Sequence, residues 1–283
     1  MATQKRKQQG FSLVELVLVI IVLGIVSVSV AGFIRTGMQI YINATERDQL
    51  LGESRFVVER LTRELRLAVP NSVRVKSSNS GAIQCLEFVP AQWIAFYTHL
   101  SVFPETSTLA TIAELANNAQ GYEYTAGDYA IVYPTSNADV YNLDNHKRKE
   151  ITECTDNGDM GNGVCSTADD TEHTAELTVT GAFADYSPAS RLYIARNALS
   201  YCVTGDGNIY RSENEINATQ SIYASGTLMA QNLKNNSSAS NEKPFQVYDA
   251  SLSRNNLVHL LLTFERNDEI INYSSEVHIP NVP

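Results

Sequence analysis

An α+β protein is expected, in which a long N-terminal helix leads into an antiparallel β-rich head. Three observations predict this. Residues 11–34 form an almost unbroken apolar run, and residues 35–69 carry a helical apolar stripe with no proline before Pro70. After Pro70 the pattern switches to short, period-two apolar runs separated by turn residues. At 283 residues the chain is long enough to bury a sizeable core.

Residues 1–10 are a basic leader, with Lys5, Arg6 and Lys7 and no acid, ending at Gly10. An ordinary secretory signal places its small cleavage residues after the apolar region, so that cutting discards the apolar segment. Here the small residue suited to a cut, Gly10, precedes that segment, so cleavage keeps it and Phe11 becomes the new N-terminus. Residues 11–34 are the membrane-spanning or filament-core half of the first helix. Of these 24 residues 18 are apolar, and Glu15 is the single charge. As a helix the run spans ~36 Å, enough to cross ~30 Å of hydrocarbon with some tilt. Its many Val and Ile side chains lean towards strand in water, but a lone segment in lipid can satisfy its backbone only as a helix. Gly24, Gly32 and Gly37 are the weak points of the helix: Gly24 and Gly32 either allow close helix–helix contact or let the stem bend or melt locally, and the alternative is that all three are ordinary in a membrane helix.

Residues 35–69 continue as the amphipathic half of that helix. Leu51, Val58, Leu61, Leu65 and Ala68 recur on one face, and the charged residues, Glu64 among them, lie mainly on the others. Arg55–Glu59, Glu59–Arg63 and Arg60–Glu64 fall at i,i+4, each worth a few tenths of a kcal/mol. Pro70 stops the helix.

Residues 70–283 form the head. Strands are expected at 73–75, 85–89, 93–97, 129–133, 176–179, 192–195, 199–203, 209–211, 245–249, 257–266 and 270–279. Gly205-Asp206-Gly207-Asn208 and Arg266-Asn267-Asp268-Glu269 read as hairpin turns. A short helix is expected over 108–117 with Ser107 as N-cap. Residues 137–170 are polar and Gly/Asp-rich and read as a surface excursion, and residues 233–243 as a mobile loop.

Composition bears on chemistry mainly by exclusion. The formal net charge is −10, and losing the three leader cations takes it to −13. So acidic a chain does not read as a partner of nucleic acid, which needs a basic footprint. Basic charge before the apolar run and an acidic remainder fit a cytoplasmic N-terminus and an exported head. Cys85, Cys154, Cys165 and Cys202 then meet an oxidising compartment, where an even count suggests two disulfides in one of three connectivities. Cys154–Cys165 is favoured because it closes a polar loop, leaving Cys85–Cys202 to tie distant strands. Four unpaired thiols are the alternative.

The five histidines are scattered without metal-ligand spacing, and there is no nucleophile elbow or phosphate loop. An enzyme is not expected, nor a cofactor. Asp156 and Asp159 stand in an oxygen-rich stretch that suits calcium weakly, because it lacks the residue order of a calcium-binding loop. Tyr122, Tyr124, Tyr129, Tyr133 and Tyr141 suit a sugar site but are favoured as sheet residues.

Gly10-Phe11-Ser12-Leu13-Val14-Glu15 followed by the apolar run resembles the prepilin signature of type IV pilins and type II secretion pseudopilins. The resemblance implies a pilin fold, cleavage by a prepilin peptidase after Gly10, and N-methylation of Phe11. It also implies pairing of Glu15 with the Phe11 amine of a neighbouring subunit. An acid within an apolar run costs on the order of 2.5–3.5 kcal/mol at mid-membrane, so a partner or a shallow position is needed. The stretch Arg55–Arg66, the strand Cys85-Leu86-Glu87-Phe88 and the end Glu276–Pro283 resemble minor pilin-like proteins of the mannose-sensitive haemagglutinin (MSHA) pilus. This implies a low-copy subunit of the bacterial inner membrane, N-terminus inside and head periplasmic, that later joins the pilus at the cell surface. Its implied partners are major and minor pilins, the peptidase, and an assembly platform driven by an ATPase. J-type pseudopilins and PilW-like minor pilins share this plan, and a membrane-anchored adhesin is a further alternative.

Overall fold

A computed structural model describes Gly10 and residues 12–113, 122–156, 174–235, 243–248 and 256–280. It has the α+β, pilin-like architecture of a long apolar N-terminal helix and antiparallel sheets. Helix α1 runs over Leu13–Arg66 without interruption. The chain separates into two compact units, Met1–Leu50 and Leu51–Pro283.

In the first unit the helix buries almost nothing. Leu13, Val28 and Phe33 are among the large apolar side chains that stay exposed along it. Its polar residues bond within the helix: the hydroxyls of Ser27, Ser29 and Thr36 donate to the carbonyls of Leu23, Ile25 and Gly32 at 2.7–3.1 Å. That back-bonding satisfies these three hydroxyl donors within the helix, as an apolar medium requires. A Cβ added at Gly24, Gly32 or Gly37 would meet nothing within 4 Å.

In the second unit the helix packs on the head through Ser54, Val57, Leu61 and Leu65, all fully buried. Burying each of the three apolar side chains contributes roughly 1.5–3 kcal/mol. The stripe is thus rotated from the expected one, since Leu51 and Val58 are only half-buried. Ser54 is what hides the true phase, because its hydroxyl lies 3.1 Å from Tyr273 Oη and needs no solvent. Of the three expected ion pairs, Arg60–Glu64 closes at 3.1 Å. The last turn tightens, Leu67 and Ala68 bonding back three residues to Glu64 and Leu65.

Three β-layers follow. A five-stranded sheet has the order β1-β2-β9-β10-β11: β1 Arg74–Ser77, β2 Gln84–Phe88, β9 Ala198–Val203, β10 Ile209–Asn214 and β11 Thr227–Ala230. A three-stranded sheet is formed by β12 Phe245–Tyr248, β13 Asn256–Arg266 and β14 Glu269–Ile279. Buried Gln84 joins the two, donating to the Phe245 carbonyl at 3.2 Å and accepting from its amide at 3.0 Å. Between β2 and β9 the chain makes a closed six-stranded barrel. Its strands are β3 Trp93–Leu100, β4 Leu109–Ala113, β5 Tyr129–Val132, β6 Arg148–Asp156, β7 Thr174–Val179 and β8 Arg191–Ala195, closed in the order β3-β4-β7-β6-β5-β8. Leu100, Ala110, Ile112, Ile151, Leu177, Phe183 and Leu192 fill it.

Both expected hairpins are present. Asn267 and Asp268 both have positive φ in the β13–β14 turn, the two-residue geometry that matches strand twist. Gly207 turns β9 into β10 with φ +75, and a Cβ there would sit 2.6 Å from the Leu233 carbonyl oxygen. That contact anchors the start of the expected mobile loop. Leu233 is buried and bridges to Phe264, while residues 236–242 lie outside the described residues.

Two expectations about the elements of the head fail. Residues 109–113 are not helical but form β4, because Ala110 and Ile112 alternate into the barrel and pairing with β3 and β7 outweighs the cap signal at Ser107. The expected surface excursion is largely built in. It holds helix α2 (Asn137–Tyr141), a 3₁₀ turn over Leu143–Asn145, and strand β6. Lys147, Arg148 and Lys149 are buried there, their long apolar stems covering the core.

Candidate processing and assembly site

Helix α1 begins where the signature lies. Ser12 caps it: its Oγ accepts from the Glu15 amide at 3.2 Å, and its carbonyl accepts from the Leu16 amide at 3.2 Å. Ser12-Leu13-Val14-Glu15 is the S-x-x-E pattern of a helix start, a signal legible in the sequence but passed over in favour of the acid alone. The cap places Glu15 in the first turn of α1. A carboxylate there is favoured by the partial positive charge of the helix N-terminus. Glu15 is exposed on the surface of the helix. Gly10 is exposed too, with nothing within 4 Å of an added Cβ. Phe11 lies outside the described residues.

A second polar centre, which the sequence did not single out, ties the helix to the sheet. Glu64 accepts from Tyr201 Oη (2.6 Å, β9), from Arg211 Nε (3.2 Å, β10) and from Arg60 Nε (3.1 Å). Burial pushes the Glu64 carboxyl up, but these hydrogen bonds outweigh it and hold the pKa below the ordinary value of 4.5. The expected placement of Glu64 on a solvent face is corrected: it is an anchor, its side chain 16% exposed. Nearby, Glu87 of β2 accepts from Arg74 Nε (2.8 Å) and from the Ser200 hydroxyl (3.1 Å).

Cys85 and Cys202 form a disulfide between directly opposed residues of β2 and β9. Cys154 in β6 is also disulfide-bonded, while Cys165 lies outside the described residues. Asp156 ends β6 and Asp159 lies outside the described residues. No group of three or more His, Cys, Asp or Glu side chains that could hold a metal occurs among the described residues.

The five tyrosines do not share one role. Tyr122 is buried against the barrel, where it donates to Asp128 at 2.8 Å, and Tyr124 and Tyr133 pack on the same core. Tyr129 lies in β5, whereas Tyr141 belongs to α2 rather than to a sheet.

Leu13–Arg66 is long and apolar enough to cross a membrane. Residues 5–31 match the prokaryotic N-terminal methylation motif. The match spans residues 5–10 of the leader, the Gly10–Phe11 junction, Ser12, Glu15 and most of the apolar run. It supports a prepilin-type, type IV pilin-like protein, and together with the apolar helix it points to membrane anchoring. Such a motif implies processing by a prepilin peptidase and assembly with other pilins. No curated protein and no solved structure matches the chain.

Proposed function

We propose that this chain is a minor pilin, a low-copy structural subunit of a type IV pilus of the MSHA type, similar to MshO. In this role it starts assembly or stands at the tip. The observation that carries the reading is the methylation motif lying in register with an exposed apolar run, residues 12–34, whose single acid, Glu15, sits in the first turn of α1. Cleavage after Gly10 frees the Phe11 amine. Side-by-side stems then pair Glu15 of one subunit with the amine of the next, which sets their register. Breaking such a pair leaves an unpaired buried charge, far more costly than having neither partner. The head supports a low copy number, because a six-stranded barrel inserted in the sheet is a large load for a subunit repeated along a whole fibre. In the same reading the N-terminus starts in the cytoplasm and the head in the periplasm, and a platform protein and its ATPase extrude the fibre.

Mass analysis of the N-terminus in the native host, with and without the peptidase, tests the processing step. The mature chain is expected to start at methylated Phe11 and to revert to Met1 when the peptidase is deleted. Retention of residues 1–10 in the wild-type host refutes the reading. A J-type pseudopilin of type II secretion carries the same kind of stem. Co-purification decides between the two, MSHA subunits supporting the pilus and secretion subunits the pseudopilus.

A further inference from the structure

The head contains a cleft of about 690 Å³. Its volume lies within the roughly 300–1,000 Å³ of small-molecule sites. The floor is set by Tyr129 of β5, Tyr141 of α2 and Arg148 of β6; the walls come from the turn after β8 and the segment after β10.

Arg148 is the informative residue. It is 3% exposed, and its Nε and Nη1 have no hydrogen-bond partner among the described residues. Nη2 makes one long contact, 3.4 Å to the Tyr141 carbonyl, and the guanidinium lies 4.6 Å from the centre of the Tyr129 ring. No carboxylate of the described residues pairs with it. Burial pulls its pKa below the ordinary arginine value, as expected of a cation taken from water without a counter-charge. A buried charge is normally paired, and each buried donor left unmade costs on the order of 1–3 kcal/mol. Arg196 on the same cleft shows the contrast, because Asp128 neutralises it at 2.8 Å.

The rim has the opposite character. Asp144 and Glu215 are exposed there, beside the amides Asn142, Asn197 and Asn217. Carboxylates and amide oxygens accept hydrogen bonds, so they suit hydroxyl donors and repel further negative charge. With a net charge of −13 after the leader is lost, the chain also disfavours polyanions. One anionic group at the floor and several hydroxyls at the rim describe a single chemical class.

We propose that this cleft binds an acidic saccharide, a sugar carrying one carboxylate, with the carboxylate set over Arg148 and the ring hydroxyls facing Asn142, Asp144 and Glu215. The site lies in the head and stands independently of the assembly reading.

The test uses the full chain in a zwitterionic detergent without a sugar headgroup and saturation-transfer NMR. The probes are sodium glucuronate, N-acetylneuraminate, methyl glucoside and sodium acetate. Glucuronate or N-acetylneuraminate is expected to bind, with methyl glucoside and acetate at least tenfold weaker. Arg148→Met is expected to weaken binding at least tenfold, and Glu215→Ala, which leaves the floor intact, severalfold. Fluorescence of Trp93, in the barrel strand β3, checks that each variant is folded. If Arg148→Met fails that check, Glu215→Ala carries the test alone. The proposal is overturned if neither acid binds, if methyl glucoside or acetate binds as well as the acids, or if folded variants bind like the parent.

Discussion

Replacing Cys85 and Cys202 together by alanine should cost the head about as much stability as its most damaging core truncations. The two cysteines are opposed on β2 and β9 but lie 117 residues apart in sequence. The entire barrel is threaded between them. Closing a loop of that length removes about 16 cal/mol/K from the unfolded chain, or ~4.9 kcal/mol at 25 °C, in the chain-entropy description. Residual unfolded-state structure reduces this, so a loss of ~3–5 kcal/mol is expected. Substitution is the right perturbation, because a reductant would also open the Cys154 disulfide. Urea unfolding of residues 35–283, followed by far-UV circular dichroism and by the single tryptophan, Trp93, gives two readouts. The first reports all the sheets and the second the barrel. A midpoint that drops by less than the equivalent of ~1 kcal/mol, with an unchanged denaturant slope, would refute the claim that this link constrains the unfolded chain.

Three more outcomes are expected. Glu64→Gln removes the charged acceptor shared by Tyr201, Arg211 and Arg60 and should cost ~1–3 kcal/mol in the same urea assay. The folded pKa of Glu64 is depressed, so its contribution is present above the ordinary value of 4.5 and lost as pH falls through the folded value. The parent should therefore lose stability in acid more steeply than Glu64→Gln, and parallel acid limbs would contradict this. Ile112→Ala, at a fully buried site in the barrel, should cost ~2–5 kcal/mol, measured as a shift in the thermal midpoint; a shift indistinguishable from zero would mean the barrel is not packed as described. Glu15→Leu should leave the level of membrane-bound protein unchanged while filaments become scarce when counted on sheared cells. Equal filament numbers would remove the charge-pair account of assembly.

What could be read from the sequence was what depends on neighbours in the chain. The stem is visible because 18 of the 24 residues over 11–34 are apolar and Glu15 is their single charge. The β13–β14 hairpin is visible because Asn267-Asp268 is a turn signal flanked by alternating residues. The barrel was not legible as a barrel. Its closure rests on β3–β8 and β4–β7, pairs between residues about 65–100 apart, and no local pattern encodes which strands meet. Strand β4 was misread because Leu-Ala-Thr-Ile-Ala is as good a helix as a strand until its neighbours are known. Strand β6 was missed because Arg148, Lys149 and Glu150 look solvated, and only the fold shows two of them buried. The same holds for Glu64 and Ser54, polar residues on a packed face whose partners come from β9, β10 and β14. The N-terminal methylation motif was legible, since it is a pattern of local sequence. The cleft at Arg148 was not, although two of its tyrosines had been singled out.

The position of the Cys85–Cys202 bond also sets how the head bears mechanical force. Traction on the barrel enters the central sheet through the ends of β2 and β9, where Phe88 faces Leu199. Peeling those strands apart separates only Phe88–Leu199, Glu87–Ser200 and Leu86–Tyr201 before it meets a covalent bond. A pull on the barrel would thus unravel the barrel first, while β2 and β9 stay joined at the bond.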